Sequence, residues 1–166
     1  MDGKAIDSIL VDGLCGTGTR FLGVFPRDRI PIHDLTHFPC AYVANTDTHS
    51  RPGLHWVAFY HESPTHLEFF DSYGQLADTY GFRIPYKFTN EFYNSYSIQA
   101  LFSPVCGEHC IYYLYYRSRN FPLHKILYAL RLTTMPDKFV RIFVSHLPRS
   151  VFHCCYPDQI CLPRYQ

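Results

Sequence analysis

Three chemically capable residues stand where apolar segments of this 166-residue chain begin or end. His55 opens Leu54-His-Trp-Val-Ala-Phe59, Asp71 closes the run from His66 to Phe70, and Cys106 precedes Gly107 at the mouth of a long aromatic-aliphatic stretch. A cysteine acts as a nucleophile when it is a thiolate. The first turn of a helix favours that state, because its unpaired backbone N–H groups and its dipole stabilise negative charge. An imidazole can hold the thiol proton as imidazolium and later deliver it to a leaving amine, which is the role open to His55. A carboxylate on the other ring nitrogen fixes the tautomer, and Asp71 is suited to that task. Acyl transfer also needs donors for the oxyanion of a tetrahedral intermediate. Gln99, seven residues before Cys106, supplies a neutral side-chain amide, and the backbone N–H of Cys106 is a second donor.

The elements that must position these groups follow from pattern. Lys4 to Leu14 reads as a short amphipathic helix with Ile6, Ile9 and Leu10 apolar, closed by the glycine-rich Gly13-Leu-Cys-Gly-Thr-Gly18. Phe21 to Phe25, Cys40 to Ala44, Leu54 to Tyr60 and His66 to Phe70 are apolar or aromatic runs of strand length. The last two are separated by Glu62-Ser-Pro-Thr65 and predict a β-hairpin, which would set His55 and Asp71 side by side. Leu76 to Tyr80 is a helical turn, and Ser97 to Phe102 reads as a further strand. Cys106 to Tyr116 is a buried helix in which Cys110, one turn after Cys106, is a core residue. Pro122 to Leu132 and Pro136 to His146 are two more helices, the first with Leu123, Ile126, Leu127 and Leu130 on one stripe. The expectation is an α+β domain spanning residues 1–166, with an antiparallel or mixed sheet packed on a central buried helix that carries Cys106 at its N-terminus.

Composition bounds the function classes. With 47% hydrophobic and 17% charged residues the chain is neither disordered nor a coiled coil. Its longest uncharged apolar run, Cys110 to Tyr116, is far short of the ~20 residues of a membrane span, and the start lacks a signal-peptide pattern, so an intracellular, membrane-free protein is expected. The 7 cysteines are then expected as free thiols rather than a disulfide framework. The net charge of +1 is unevenly placed. Residues 1–116 hold 7 basic and 12 acidic side chains, whereas residues 117–166 hold 8 basic and 2 acidic, which marks the last third as a basic pole.

Leu54-His-Trp-Val-Ala-Phe59, Phe69-Phe-Asp-Ser-Tyr-Gly74 and the seven-residue step from Gln99 to Cys106-Gly together resemble the signature of the adenovirus protease (adenain) family and, more distantly, of the SUMO-specific proteases. Phe21-Leu-Gly-Val-Phe25 and Cys40-Ala-Tyr-Val-Ala-Asn-Thr46 are similar to the segments ahead of the histidine in that family. The resemblance covers roughly residues 4–116. It implies a thiol endopeptidase with Cys106 as nucleophile, His55 as general base and acid, Asp71 as orienting carboxylate and Gln99 with the Cys106 N–H as oxyanion hole, and with Trp56 as the aromatic neighbour of the histidine. It further implies a monomer from a DNA virus or a virus-like transposon, working in host nucleus, cytoplasm or virion. Its substrates would be capsid or core precursors cut near small residues or glycine. Asp71 departs from the glutamate common in adenovirus enzymes. The family's disulfide-tethered peptide activator finds no cysteine between Cys40 and Cys106 to hold it.

No cofactor is needed for such chemistry and no metal is expected, although DNA or a peptide can serve as activator. DNA binding would rest on Arg117, Arg119, Lys125, Arg131, Lys138 and Arg141, with the steep salt dependence of phosphate contacts. Competing readings are a SUMO or ubiquitin-like isopeptidase, an acetyltransferase with the same His-acid-Cys set, and a zinc or nucleic-acid module built on His153-Cys154-Cys155 and Cys161. The spacing of the last set does not match ordinary zinc sites.

Overall fold

The computed structural model describes residues 1–83 and 90–147. The sequence from Lys4 does form a helix, α1 (Gly3–Gly13), whose N-cap Asp2 accepts from the Ala5 N–H at 2.8 Å and whose Ile6 and Leu10 are buried. Strands β1 (Arg20–Pro26), β2 (Cys40–Asn45), β3 (Trp56–Ser63), β4 (His66–Phe70) and β5 (Asn90–Tyr93) make one sheet in the order β1-β2-β3-β4-β5. The two outer pairings, β1 with β2 and β4 with β5, are parallel; the two inner ones are antiparallel. The sheet is therefore mixed, and the expected hairpin is the β3–β4 pair. Three α-helices follow, α2 (Cys106–Arg117), α3 (Leu123–Leu132) and α4 (Pro136–His146), all at their predicted places.

The strands read as continuous apolar runs because both sheet faces are covered. Ala41, Val43, Ala58, Tyr60 and Phe70 point to the helices and join Ile6, Leu10, Ile111 and Leu114 in the larger core. Tyr42, Ala44, Val57, Phe59, Leu67 and Phe69 point the other way, under Leu35, Ala77 and Phe82. Alternation with period 2 is thus present, but neither face is polar. Helix α2 packs on β3 and is itself surrounded by α1, α3 and α4, so nine of its residues, from Gly107 to Arg117, are buried. Close approach of α1 needs Gly107, where a Cβ would lie 2.9 Å from Ile6 Cδ1.

One buried polar network ties the end of α2 to the sheet. Glu68 of β4, 5% exposed, accepts from the Tyr113 hydroxyl at 2.8 Å and from Arg117 Nε at 2.9 Å. Arg117 also reaches Glu62 at 2.9 Å and lies over the Tyr60 ring. Arg117 was grouped by sequence with candidate phosphate contacts; its guanidinium is instead enclosed and engaged by two carboxylates.

Two expectations are corrected. Ser97 to Phe102 is not a strand: Ile98 N–H and Gln99 N–H both donate to the single Ser72 carbonyl, at 2.9 and 3.1 Å, after which the chain turns with Phe102 at φ 64°. A shared acceptor docks the segment at one point and starts no ladder. The strand that does flank β4 is β5, short and not anticipated. Among the cysteines, Cys40, Cys106 and Cys110 are in no disulfide, whereas Cys15 is disulfide-bonded, against the reading of all of them as thiols. The His153-Cys154-Cys155 and Cys161 cluster lies outside the described residues, and among the described ones no three His, Cys, Asp or Glu side chains converge as metal ligands. No described helix is long and apolar enough to cross a membrane.

Replacing Arg117 by alanine strands a buried carboxylate at Glu68. Urea denaturation is expected to show a loss of about 3–5 kcal/mol, against less than ~0.5 kcal/mol for the exposed Lys125→Ala.

Candidate active site

The hairpin places the first two site residues. His55 immediately precedes β3 and Asp71 immediately follows β4, so antiparallel pairing brings them to one end of the sheet, with His55 Nε2 2.5 Å from Asp71 Oδ1. Asp71 is fully buried and its two oxygens have four donors. Oδ1 takes the His55 ring and the Tyr73 N–H at 3.1 Å; Oδ2 takes the Gln75 N–H and the Tyr80 hydroxyl, each at 2.9 Å. Burial by itself would raise this carboxyl, but His55 and the backbone donors outweigh it and hold Asp71 below its usual range.

A second clamp holds the Asp71 backbone. Asn94 accepts from the Asp71 N–H at 3.0 Å and donates to its carbonyl, and Gly74 closes the turn with φ 71°. A Cβ on Gly74 would sit 2.4 Å from the Tyr96 carbonyl carbon, so only glycine lets the turn press onto this segment.

With Nε2 committed to Asp71, the remaining ring nitrogen of His55 is left for Cys106, whose thiol is its other hydrogen-bond partner. Cys106 is the first residue of α2, and Val105 provides no side-chain cap, so backbone N–H groups are available to the sulfur. Burial alone would raise the thiol; the bond to His55, the N–H groups of Trp56 and Gly107 and the imidazolium charge reverse this and lower it. On His55, burial disfavours the charged ring, yet Asp71 and Cys106 raise it to about 9. The two directions agree: the surroundings favour moving the thiol proton from Cys106 toward His55. Cys110 contrasts with this. It is fully buried, it donates to the Trp56 carbonyl at 3.4 Å, and burial pushes its thiol well up. It is core, as its place in the helix indicated.

Trp56 contributes through its backbone as well as its ring. Its N–H meets Cys106 and its C=O meets Cys110, which pins the head of β3 to the first turn of α2. The indole lies against Gly3, where an added Cβ would be 3.1 Å from the ring, and it borders a cleft of about 1630 Å³ shared with β1, Asn45 and Gly53.

Gln99 is 4% exposed and its amide is held at both ends. Oε1 accepts from the Ser72 hydroxyl at 2.6 Å, while Nε2 donates to the Ser103 carbonyl and, at 3.2 Å, to the Tyr73 hydroxyl. The loop that carries it is tied to α4: Asp137 accepts from the Ala100 N–H at 3.2 Å and meets the buried His109 at 2.9 Å.

Sequence reasoning named His55, Asp71, Cys106, Gln99 and Trp56, and all five gather in this one region. It did not name Tyr73, Tyr80, Asn94, Ser72 or Asp137, which orient them. Tyr73 and Tyr80 flank the histidine, with ring centroids 4.8 and 5.7 Å from it. Only the Asp-Ser-Tyr-Gly string hinted at Ser72 and Tyr73; Tyr80, Asn94 and Asp137 lie outside it. Of the basic residues, Arg119 stacks on Tyr115 with 3.5 Å to the ring centroid and bonds its carbonyl, whereas Lys125, Arg131, Lys138 and Arg141 are exposed on α3 and α4.

The lowered thiol and raised imidazole predict a reactivity profile. Iodoacetamide should alkylate Cys106 with an acid limb below the ordinary thiol range of about 8.5. In His55→Ala, burial is left unopposed by the imidazolium, so the limb should move above that range and the rate at pH 7 should fall at least about tenfold. Superimposable profiles for the two proteins would contradict the pairing. In comparisons with known proteins, neither a protein-family model nor a curated protein matches this chain.

Proposed function

We propose that the chain is a cysteine endopeptidase that uses Cys106, His55 and Asp71. The observation that carries this reading is the Cys106–His55–Asp71 line at the mouth of α2, in which the thiol is lowered while the imidazole is raised to about 9.

Chemistry follows from that charge state. The Cys106 thiolate adds to the carbonyl carbon of a peptide bond, and the carbonyl π electrons move to oxygen. The oxyanion is met by the Cys106 N–H and by donors on the Gln99 side. The C–N bond then breaks as His55 gives its proton to the leaving amine, leaving a thioester and a neutral imidazole. Water adds to the thioester as the imidazole takes its proton, and collapse releases the acid and restores the ion pair. Asp71 stays ionised throughout; its four donors keep the ring aligned.

The resemblance to the adenain family supports viral or virus-like capsid and core precursors as substrates, cut near small residues, in a monomeric enzyme of the infected cell or virion. The alternative reading, an isopeptidase acting on a Gly-Gly terminus, uses the same three residues, and labelling of Cys106 by a ubiquitin-like vinylsulfone probe would favour it. DNA as an activator would act through the exposed Lys125, Arg131, Lys138 and Arg141.

Cleavage-site profiling of a proteome with wild type and Cys106→Ala tests the proposal. New termini are expected with wild type only, enriched in small residues beside the cut. Equal cleavage by Cys106→Ala would overturn it.

A further inference from the structure

The Tyr73 hydroxyl is the group next to the proposed chemistry for which no role has been assigned. The residue's backbone N–H is fixed on Asp71 and its ring lies on His55 at 4.8 Å, tilted by 33°. The hydroxyl is therefore positioned by two members of the site. It accepts from Gln99 Nε2 at 3.2 Å, and among the described residues its own proton has no acceptor.

Gln99 itself is poorly placed to meet a substrate directly. It is 4% exposed, its carbonyl oxygen is taken by Ser72, and one amide hydrogen is taken by the Ser103 carbonyl. The remaining hydrogen is covered by the Tyr73 hydroxyl. Tyr73 is half-exposed and faces a hollow of about 560 Å³ that His55, Leu54 and Tyr80 also line. The phenol is thus the more accessible member of the Tyr73–Gln99 pair, and it lies close enough to Cys106 to feel its charge.

From this arrangement, and resting on the protease reading above, we infer that the Tyr73 hydroxyl is a catalytic donor to the oxyanion, with the Gln99 amide behind it as the donor that orients and polarises the phenol. The hydroxyl accepts one hydrogen bond from Gln99 and gives its own proton in a hydrogen bond to the developing O⁻; no proton is transferred and no electron balance changes. A phenol backed by an amide donor is a stronger hydrogen-bond donor than the amide alone, because each bond in such a chain polarises the next. Burial and the nearby charge of Cys106 raise the phenol, which keeps it protonated across the working pH range.

Tyr73→Phe removes the hydroxyl and keeps the ring on His55. The readout is turnover of a peptide carrying a cleavage sequence from the proteome profile, beside iodoacetamide alkylation of Cys106, which forms no oxyanion. The expected result is a kcat lower by on the order of 100-fold, with KM within about threefold, thermal unfolding unchanged, and the alkylation rate and its pH profile those of wild type. Gln99→Ala added to Tyr73→Phe should cost little more, since the two act as one unit. A kcat that is unchanged or higher in Tyr73→Phe would overturn the inference, the higher value meaning that the hydroxyl is a plug the substrate displaces. Slower alkylation in parallel with kcat would also overturn it, by placing the effect on the thiolate. If wild type cleaves nothing, the protease reading fails first; if wild type cleaves and Tyr73→Phe matches it, only the role of Tyr73 fails.

Discussion

A single buried carboxylate sets the geometry on which the site depends. Asp71 has no exposure to water, and an ionised group there is tolerated only because donors surround it. His55, Tyr73 N–H, Gln75 N–H and the Tyr80 hydroxyl supply them, while Asn94 and Gly74 hold its backbone. The same bonds that keep Asp71 charged orient the imidazole, and the oriented imidazole is what makes Cys106 acidic despite burial that works against it. Function and local stability thus draw on one set of interactions, and a change at any donor reaches the thiol through the ring.

The larger architecture serves to bring three chain segments to that carboxylate. The β3–β4 hairpin delivers His55 and Asp71 together; α2, enclosed by the other helices, delivers Cys106 at a helix start. The link between sheet and helix is the Trp56 backbone, whose N–H faces one cysteine of α2 and whose C=O accepts from the next. At the far end of α2, Glu68 and Arg117 make the corresponding link. The helix is therefore fastened to the sheet at both ends by polar contacts and along its length by apolar packing, including the stack of Tyr113 on Phe70 at 4.6 Å. A rigid support of this kind would suit the nucleophile proposed at Cys106, which must stay aligned with His55.

Much of this was legible in the sequence. Apolar runs bounded by turn formers located β1 to β4, and helical spacing located all four α-helices, because these elements are set by local pattern and by burial on defined faces. The positions of His55, Asp71 and Cys106 could be picked out for the same reason: each sits at a boundary where a polar residue interrupts an apolar run. What was missed depends on contacts between distant segments. Ser97 to Phe102 has strand composition, yet its two N–H groups share the Ser72 carbonyl, and no local signal encodes that. Arg117 reads as part of a basic pole until Glu68 and Glu62 are seen beside it. Tyr73 and Tyr80 are two among 14 tyrosines, and only the fold selects them as the pair that encloses His55.

The central claim is that Cys106 becomes covalently acylated during peptide-bond cleavage. Rapid acid quenching of wild-type enzyme with a cleaved peptide, followed by intact-mass and fragment mass spectrometry, reads this directly. The account predicts a transient mass increase equal to the N-terminal product less water, located on Cys106 and absent from Cys106→Ala. Turnover without any such adduct, or an adduct on a different residue, would contradict it.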